Sequence, residues 1–338
     1  LDTSINMAMQ PFKMMVGDMV NEKQKGLAYS IQSFLCNAGS LVGFLFPFIF
    51  TWIGISNIAP QGVVPDSVIY SFYIGAAILI LCVIYTTVKV KEMPPAEYAE
   101  YHGITEEEEK EKINMMKLLV KAPKAFWTVG LVQFFCWFAF MFMWTYTNGS
   151  VAANVFDAPT VETVVNGISK IMLDTKSIQY QNAADWVGVL FAVQAIGSVL
   201  WAVCIPMFKN RKQIYSLSLI LGGIGFISTY FVHNQYILFI SFLLIGCAWA
   251  AMLALPFTIL TNALSGGHMG TYLGLFNGTI CIPQIVAAAL GGSILALFTP
   301  KGMLPPEINM LVMAGVMLII GAVCVYLIKE TKGEQAKA

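Results

Sequence analysis

The sequence predicts an all-α integral membrane protein, and three observations carry that prediction. Apolar residues make up 57% of 338 positions and charged residues only 11%, with a mean hydropathy of +0.71. Soluble chains carry roughly 25% charged residues, so this composition cannot clothe a water-facing surface. The apolar residues also gather into segments near the ~20 residues that a bilayer crossing takes. Hydrocarbon offers no water to backbone groups, so segments of this length must satisfy them internally, as helices.

Nine segments qualify: 1–18, 27–54, 68–90, 125–150, 186–208, 214–232, 236–262, 271–298 and 308–328. Several exceed a perpendicular crossing, so tilts or kinks are expected. Pro47, Pro206, Pro256 and Pro283 are the kink candidates, because proline removes a helical N–H and crowds the preceding turn.

Lys and Arg set the orientation. Fifteen of them fall in 19–26, 89–124, 209–212 and the tail after 328, against three (Lys170, Lys176, Lys301) in the alternate connections. The first group is therefore assigned to the cytoplasm, with the C-terminus inside a multi-pass inner or plasma membrane. Three spans precede the charged segment and six follow it. Two six-helix halves joined by a cytoplasmic linker show this pattern minus their first three helices. The expectation is thus helices 4–12 of 12: residues 1–90 closing the N-terminal half, 91–124 as linker, and 125–338 as a six-helix C-terminal half with a tail. A natural nine-helix protein is the rival.

Within the linker, Pro94 and Pro95 stop the preceding helix. The EEEEKEK run reads as a solvated helical stretch, and 113–121 as an amphipathic segment on the membrane surface. The outer segment 151–185 is long for a loop and is expected to hold a short helix. Formal net charge is zero, so no nucleic-acid footprint is present. The seven Cys stand singly in apolar stretches and read as small buried residues; the three His are far apart, which argues against a metal site or other cofactor. No nucleophile motif or acid–base cluster suggests an enzyme.

Polar stripes carry the functional reading. In the first segment Asp2, Asn6, Gln10 and Lys13 fall within an arc of about 80° at helical spacing. Such groups at membrane depth normally face a cavity or a partner. Asp2 is the candidate for a titrating carboxylate, since desolvation raises and a nearby cation lowers its affinity for a proton. For Asn6 and Gln10, binding a ligand and gluing helices together are both open. Lys13 and Asp18 lie nearer the cytoplasmic end, where a gating or structural ion pair is the simpler role. Further seams are Ser30, Ser33, Asn37 and Ser40; Gln133, Trp137, Trp144 and Asn148; Gln194, Ser198 and Trp201; and Asn277 with Gln284. Five helices with such seams suggest a shared wet cavity. Amides donate and accept as sugar hydroxyls do, and Trp faces suit the apolar faces of a sugar ring. The seams hold almost no fixed positive charge, so a neutral polyhydroxylated solute fits better than an anion.

Two motifs resemble a known family. LDTSINMAMQPFKMMVGDMV resembles the fourth-helix signature of the sucrose and maltose transporters of the major facilitator superfamily, through Leu1, Asp2, Asn6, Pro11, Lys13 and Asp18. GTYLGLFNGTICIPQIV resembles the penultimate-helix pattern of the same group, through Gly270, Gly274, Asn277, Pro283 and Gln284. The resemblance implies a major facilitator fold and alternating-access import of a disaccharide or related glycoside, coupled to protons or, in related groups, to Na+. It places the coupling carboxylate at Asp2. Two departures stand out. The family often has Arg where this chain has Lys13, and Lys offers a point charge instead of a bidentate fork. Plant sucrose carriers have acidic residues in the seventh helix, where this chain reads MWTYTNG, with Trp144, Tyr146 and Asn148.

The reading from sequence is therefore a monomeric secondary transporter with a small-molecule sugar as ligand. Asp2 would bind the proton; Asn6, Gln10, Gln133, Trp137, Trp144, Asn148, Asn277 and Gln284 are the candidate substrate contacts. A carrier of another neutral solute, or a transport-dead sugar sensor on the same fold, is the alternative.

Overall fold

A computed structural model of the chain describes residues 24–55, 66–91, 115–165, 168–264, 269–300 and 302–328, with scattered positions elsewhere. Asp2, Asn6, Gln10, Lys13 and Asp18 lie outside the described residues. So do the EEEEKEK run and His102 and His268.

The remaining expected spans are all present as helices. They are α1 (Lys25–Trp52), α2 (Asp66–Lys89), α4 (Lys124–Asn154), α5 (Ile178–Cys204), α6 (Arg211–Ser228), α7 (Leu238–Ala263), the pair α8 (Met269–Phe276) and α9 (Gly278–Phe298), and α10 (Ile308–Cys324); α3 (Met115–Lys121) is a short helix ahead of α4. Among the described residues, six helices are long and apolar enough to cross a membrane. Local signals set several ends. Ser177 caps α5, its side chain accepting from the Tyr180 N–H at 3.2 Å, and Asn210 caps α6 by accepting from Lys212 and Gln213. Such caps satisfy N–H groups that have no intrahelical partner. Asp66 opens α2 and Lys89 closes it, both complementing the helix dipole.

Three expectations change. The segment 151–185, expected outside, holds no separate helix. Instead α4 runs on to Asn154, an antiparallel hairpin pairs β1 (Thr160–Val165) with β2 (Ile168–Leu173) in register Thr160↔Leu173, and α5 begins at Ile178. The segment TVETVV is rich in β-branched residues, whose stiff side chains favour strands over helix. The 271–298 span breaks into α8 and α9 at Asn277, six residues before Pro283. The α5 span ends in a tight turn over Ile205–Met207 that contains Pro206.

Helix α7 is central to the packing and lies against α1, α4, α5 and α6, while α10 lies against α4 and α6. Two crossings require glycine. A Cβ on Gly197 of α5 would sit 2.5 Å from the Leu243 carbonyl oxygen, and one on Gly246 of α7 would meet the α5 backbone in turn. A Cβ on Gly223 of α6 would lie 2.9 Å from the Gly315 oxygen, and one on Gly315 2.7 Å from the Gly223 oxygen. Small residues let helix backbones meet where lipid gives no hydrophobic drive to associate. None of the seven cysteines forms a disulfide. The side chains of α2 from Ile78 to Tyr85 are largely exposed, as suits an apolar environment.

Candidate substrate-binding site

Pro256 builds the centre of the site. It has no N–H, so the carbonyl one turn back, at Met252, loses its helical donor. Gln133 of α4 fills that role: its Nε2 donates to the Met252 oxygen at 3.3 Å. Gln133 is fully buried, and its Oε1 has no partner among the described residues. One turn along α4, Trp137 is buried too, and its Nε1–H is likewise unpartnered among the described residues. On the other flank of α7, Ser33 of α1 donates to the Ala250 oxygen at 3.3 Å. Asn37 donates from Nδ2 to the Ser33 oxygen at 2.7 Å, and its Oδ1 is buried and unpartnered among the described residues. Among the described residues, two acceptors and a donor thus stay unsatisfied where burial makes that costly.

An aromatic wall adjoins these groups. Trp249 of α7 lies 5.7 Å, centroid to centroid, from both Trp137 and Trp144, and 4.8 Å from Phe140. Trp137 and Trp144 are themselves 6.4 Å apart. Most of these contacts are tilted or edge-to-face, the geometry that aromatic quadrupoles favour. Trp144 keeps 43% of its surface exposed, whereas Trp137 is buried and Trp249 half-buried. Asn148, one turn further out, is half-buried, with Oδ1 buried and unpartnered among the described residues.

The predicted site residues therefore divide. Gln133, Trp137, Trp144 and Asn148 share one face of α4, and the first three meet α7. Asn277 stands at the α8–α9 break, where its Nδ2 faces the Cys281 sulfur at 3.9 Å; Gln284 is half-buried on α9. The α5 seam is corrected. Ser198 donates to the Gly246 oxygen at 2.7 Å and Trp201 Nε1 to Ser218 Oγ at 2.8 Å, so both join helices. Ser40 donates back to Cys36 on its own helix. Trp249 was not among the sequence candidates. It sits alone in an apolar run without polar residues at helical spacing; its one signal is a seven-residue offset from Pro256, which puts both on one face.

A model of the Major Facilitator Superfamily matches residues 5–173 and 151–338. The chain belongs to the Major Facilitator Superfamily. It is therefore a multi-pass membrane transporter and not an enzyme. No curated protein sequence matches this chain. Two solved structures of FucP are similar in fold. One is a variant of the E. coli fucose:proton symporter, with TM-score 0.61 and 12% identity, covering 97% of this chain and 74% of that one. The other is described as a major facilitator transporter in the outward conformation, with TM-score 0.62 and 13% identity, covering 97% and 73%. At that identity the likeness concerns the fold alone.

Proposed function

We propose that this major facilitator protein imports a neutral sugar, a disaccharide or related glycoside, by proton-coupled alternating access. The observation that supports the substrate class is the chemistry beside α7. Among the described residues the amide oxygens of Asn37 and Gln133 and the indole N–H of Trp137 are unpartnered and Trp144 is exposed, which suits hydroxyls that both donate and accept, and a ring with an apolar face. Helices α1, α4 and α7 carry no Lys, Arg, Asp or Glu beyond Lys25 and Lys124, the first residues of α1 and α4, which disfavours an ionic substrate. The similar fold of a fucose:proton symporter is in keeping with this reading.

The coupling role goes to Asp2, on the motif that it shares with sucrose and maltose carriers. A proton on Asp2 neutralises the cavity and favours loading; release to the cytoplasm resets the carrier. Na+ in place of H+ is the alternative ion, and another neutral solute the alternative cargo. The cytoplasmic C-terminus follows from the Lys and Arg distribution. Uptake of labelled disaccharides by proteoliposomes of the full-length protein, with and without an inward pH gradient, tests the proposal. Accumulation should follow the gradient in the wild type and be lost in Asp2→Asn. Gradient-driven uptake that survives Asp2→Asn rules out its coupling role.

A further inference from the structure

Glu307 is a carboxylate that neither the transport reading nor the sequence motifs use. It stands one residue ahead of the Ile308–Leu327 span, at the N-cap of α10, where its side chain makes no capping hydrogen bond. Instead the carboxyl group lies on the backbone of α4 at Gly149. A Cβ there would fall 2.7 Å from Oε1 and nearer still to Oε2. Only glycine leaves room for this seat. On the same side of α4, Tyr146 interacts electrostatically with Glu307, and its hydroxyl covers Gly291 of α9, where a Cβ would lie 2.6 Å from it. The carboxyl group is thus set against α4, with Tyr146 and α9 close by.

We propose that Glu307 is a pH-responsive positioning residue, whose carboxyl group, seated on α4 at Gly149, holds the outer end of α4 in place when protonated and loosens it when ionised. The surroundings supply no compensating cation among the described residues. On α4 the titratable neighbour is Tyr146; α9 carries only Cys281, far along the helix, and α10 only Cys324 at its other end. On α6, which also packs on α10, Arg211, Lys212 and Tyr215 stand in the first turns, and Cys247 is the only titratable residue of α7. The α6–α7 connection brings His233 to the Asn154 oxygen at 3.2 Å, and Asp157 follows α4. Lys301 of the α9–α10 connection lies outside the described residues.

Burial pushes the Glu307 carboxyl up to about 7 from 4.5. Because this is an acid whose affinity for the proton is raised in the packed state, protonation favours that state. The packing at Gly149 is strongest below about pH 4.5, weakens as pH rises through about 7, and stays weak above. The outer end of α4 carries Trp144 and Asn148, so, resting on the sugar-site reading above, acid should tighten substrate binding.

The test separates the two ideas. Intrinsic tryptophan fluorescence of the purified full-length protein, titrated in pH, needs no substrate. The wild type should show a transition centred near 7, absent from Trp144→Phe. Glu307→Gln, a neutral isostere of the acid form, should hold the acid-form spectrum throughout. Glu307→Asp should restore a transition with a displaced midpoint. Gly149→Ala, which expels the carboxyl group from its seat, should drop the midpoint toward the ordinary carboxylate range. Uptake then adds a second readout: the rise in KM between about pH 6 and about pH 8 should be about fivefold larger in the wild type than in Glu307→Gln, where only the dependence due to Asp2 remains. An unaltered fluorescence transition in Glu307→Gln, or none in the wild type, overturns the proposal whether or not sugar is carried.

Discussion

Gln133 shows how one side chain can serve both fold and function. Its amide nitrogen replaces the N–H that Pro256 denies to Met252, and its oxygen is left for something else. The two roles separate in a substitution series. Gln133→Leu strands the Met252 carbonyl, at a cost of about 1–3 kcal/mol, and also removes the acceptor. Gln133→Glu keeps an oxygen but loses the donor. Thermal unfolding should therefore fall for both variants, while sugar affinity should fall far more for the leucine. Equal affinity in wild type and leucine variant would confine Gln133 to the fold. The sequence showed Gln133 on the Trp face of α4, because a 3.6-residue period is readable without coordinates. It could not show that a proline in another helix had created its partner.

Helices were legible as elements, and their crossings were not. Apolar runs with prolines and charged ends located α1, α2, α4, α6, α7 and α10 to within a few residues. The β1–β2 hairpin was missed, since its β-branched run sits beside spans whose hydropathy dominates any reading of the region. The α5 seam was misassigned because a Ser or Trp stripe has the same spacing whether it faces a cavity or a neighbouring helix. Contacts decide it: Ser198 reaches Gly246 and Trp201 reaches Ser218. The Gly197–Gly246 crossing yields a prediction at this scale. Gly246→Ala drives a methyl group into the α5 backbone, and overpacking of this kind costs about 1–3 kcal/mol. The variant should show a lower unfolding temperature in detergent, whereas Gly188→Ala on α5, where a Cβ meets nothing within 4 Å, should not. Equal unfolding temperatures for both would contradict the packing described here.

For the whole molecule, the superfamily was legible from two short motifs and the placement of charge, and the family match agrees. The substrate was less so, because a binding surface is assembled from separate helices and Trp249 announces itself only by position. At this scale the indoles and amides around α7 act together, and the proposal is that they hold a sugar. The most direct measurement is the equilibrium dissociation constant of a labelled disaccharide for the wild-type protein, Trp249→Ala and Trp127→Ala. Trp127 is 52% exposed near the start of α4 and, among the ring contacts described, meets only Phe126, away from the wall formed with α7. Losing Trp249 should weaken binding about tenfold, or about 1.4 kcal/mol, while Trp127→Ala binds as the wild type does. Undiminished affinity in Trp249→Ala would contradict the claim.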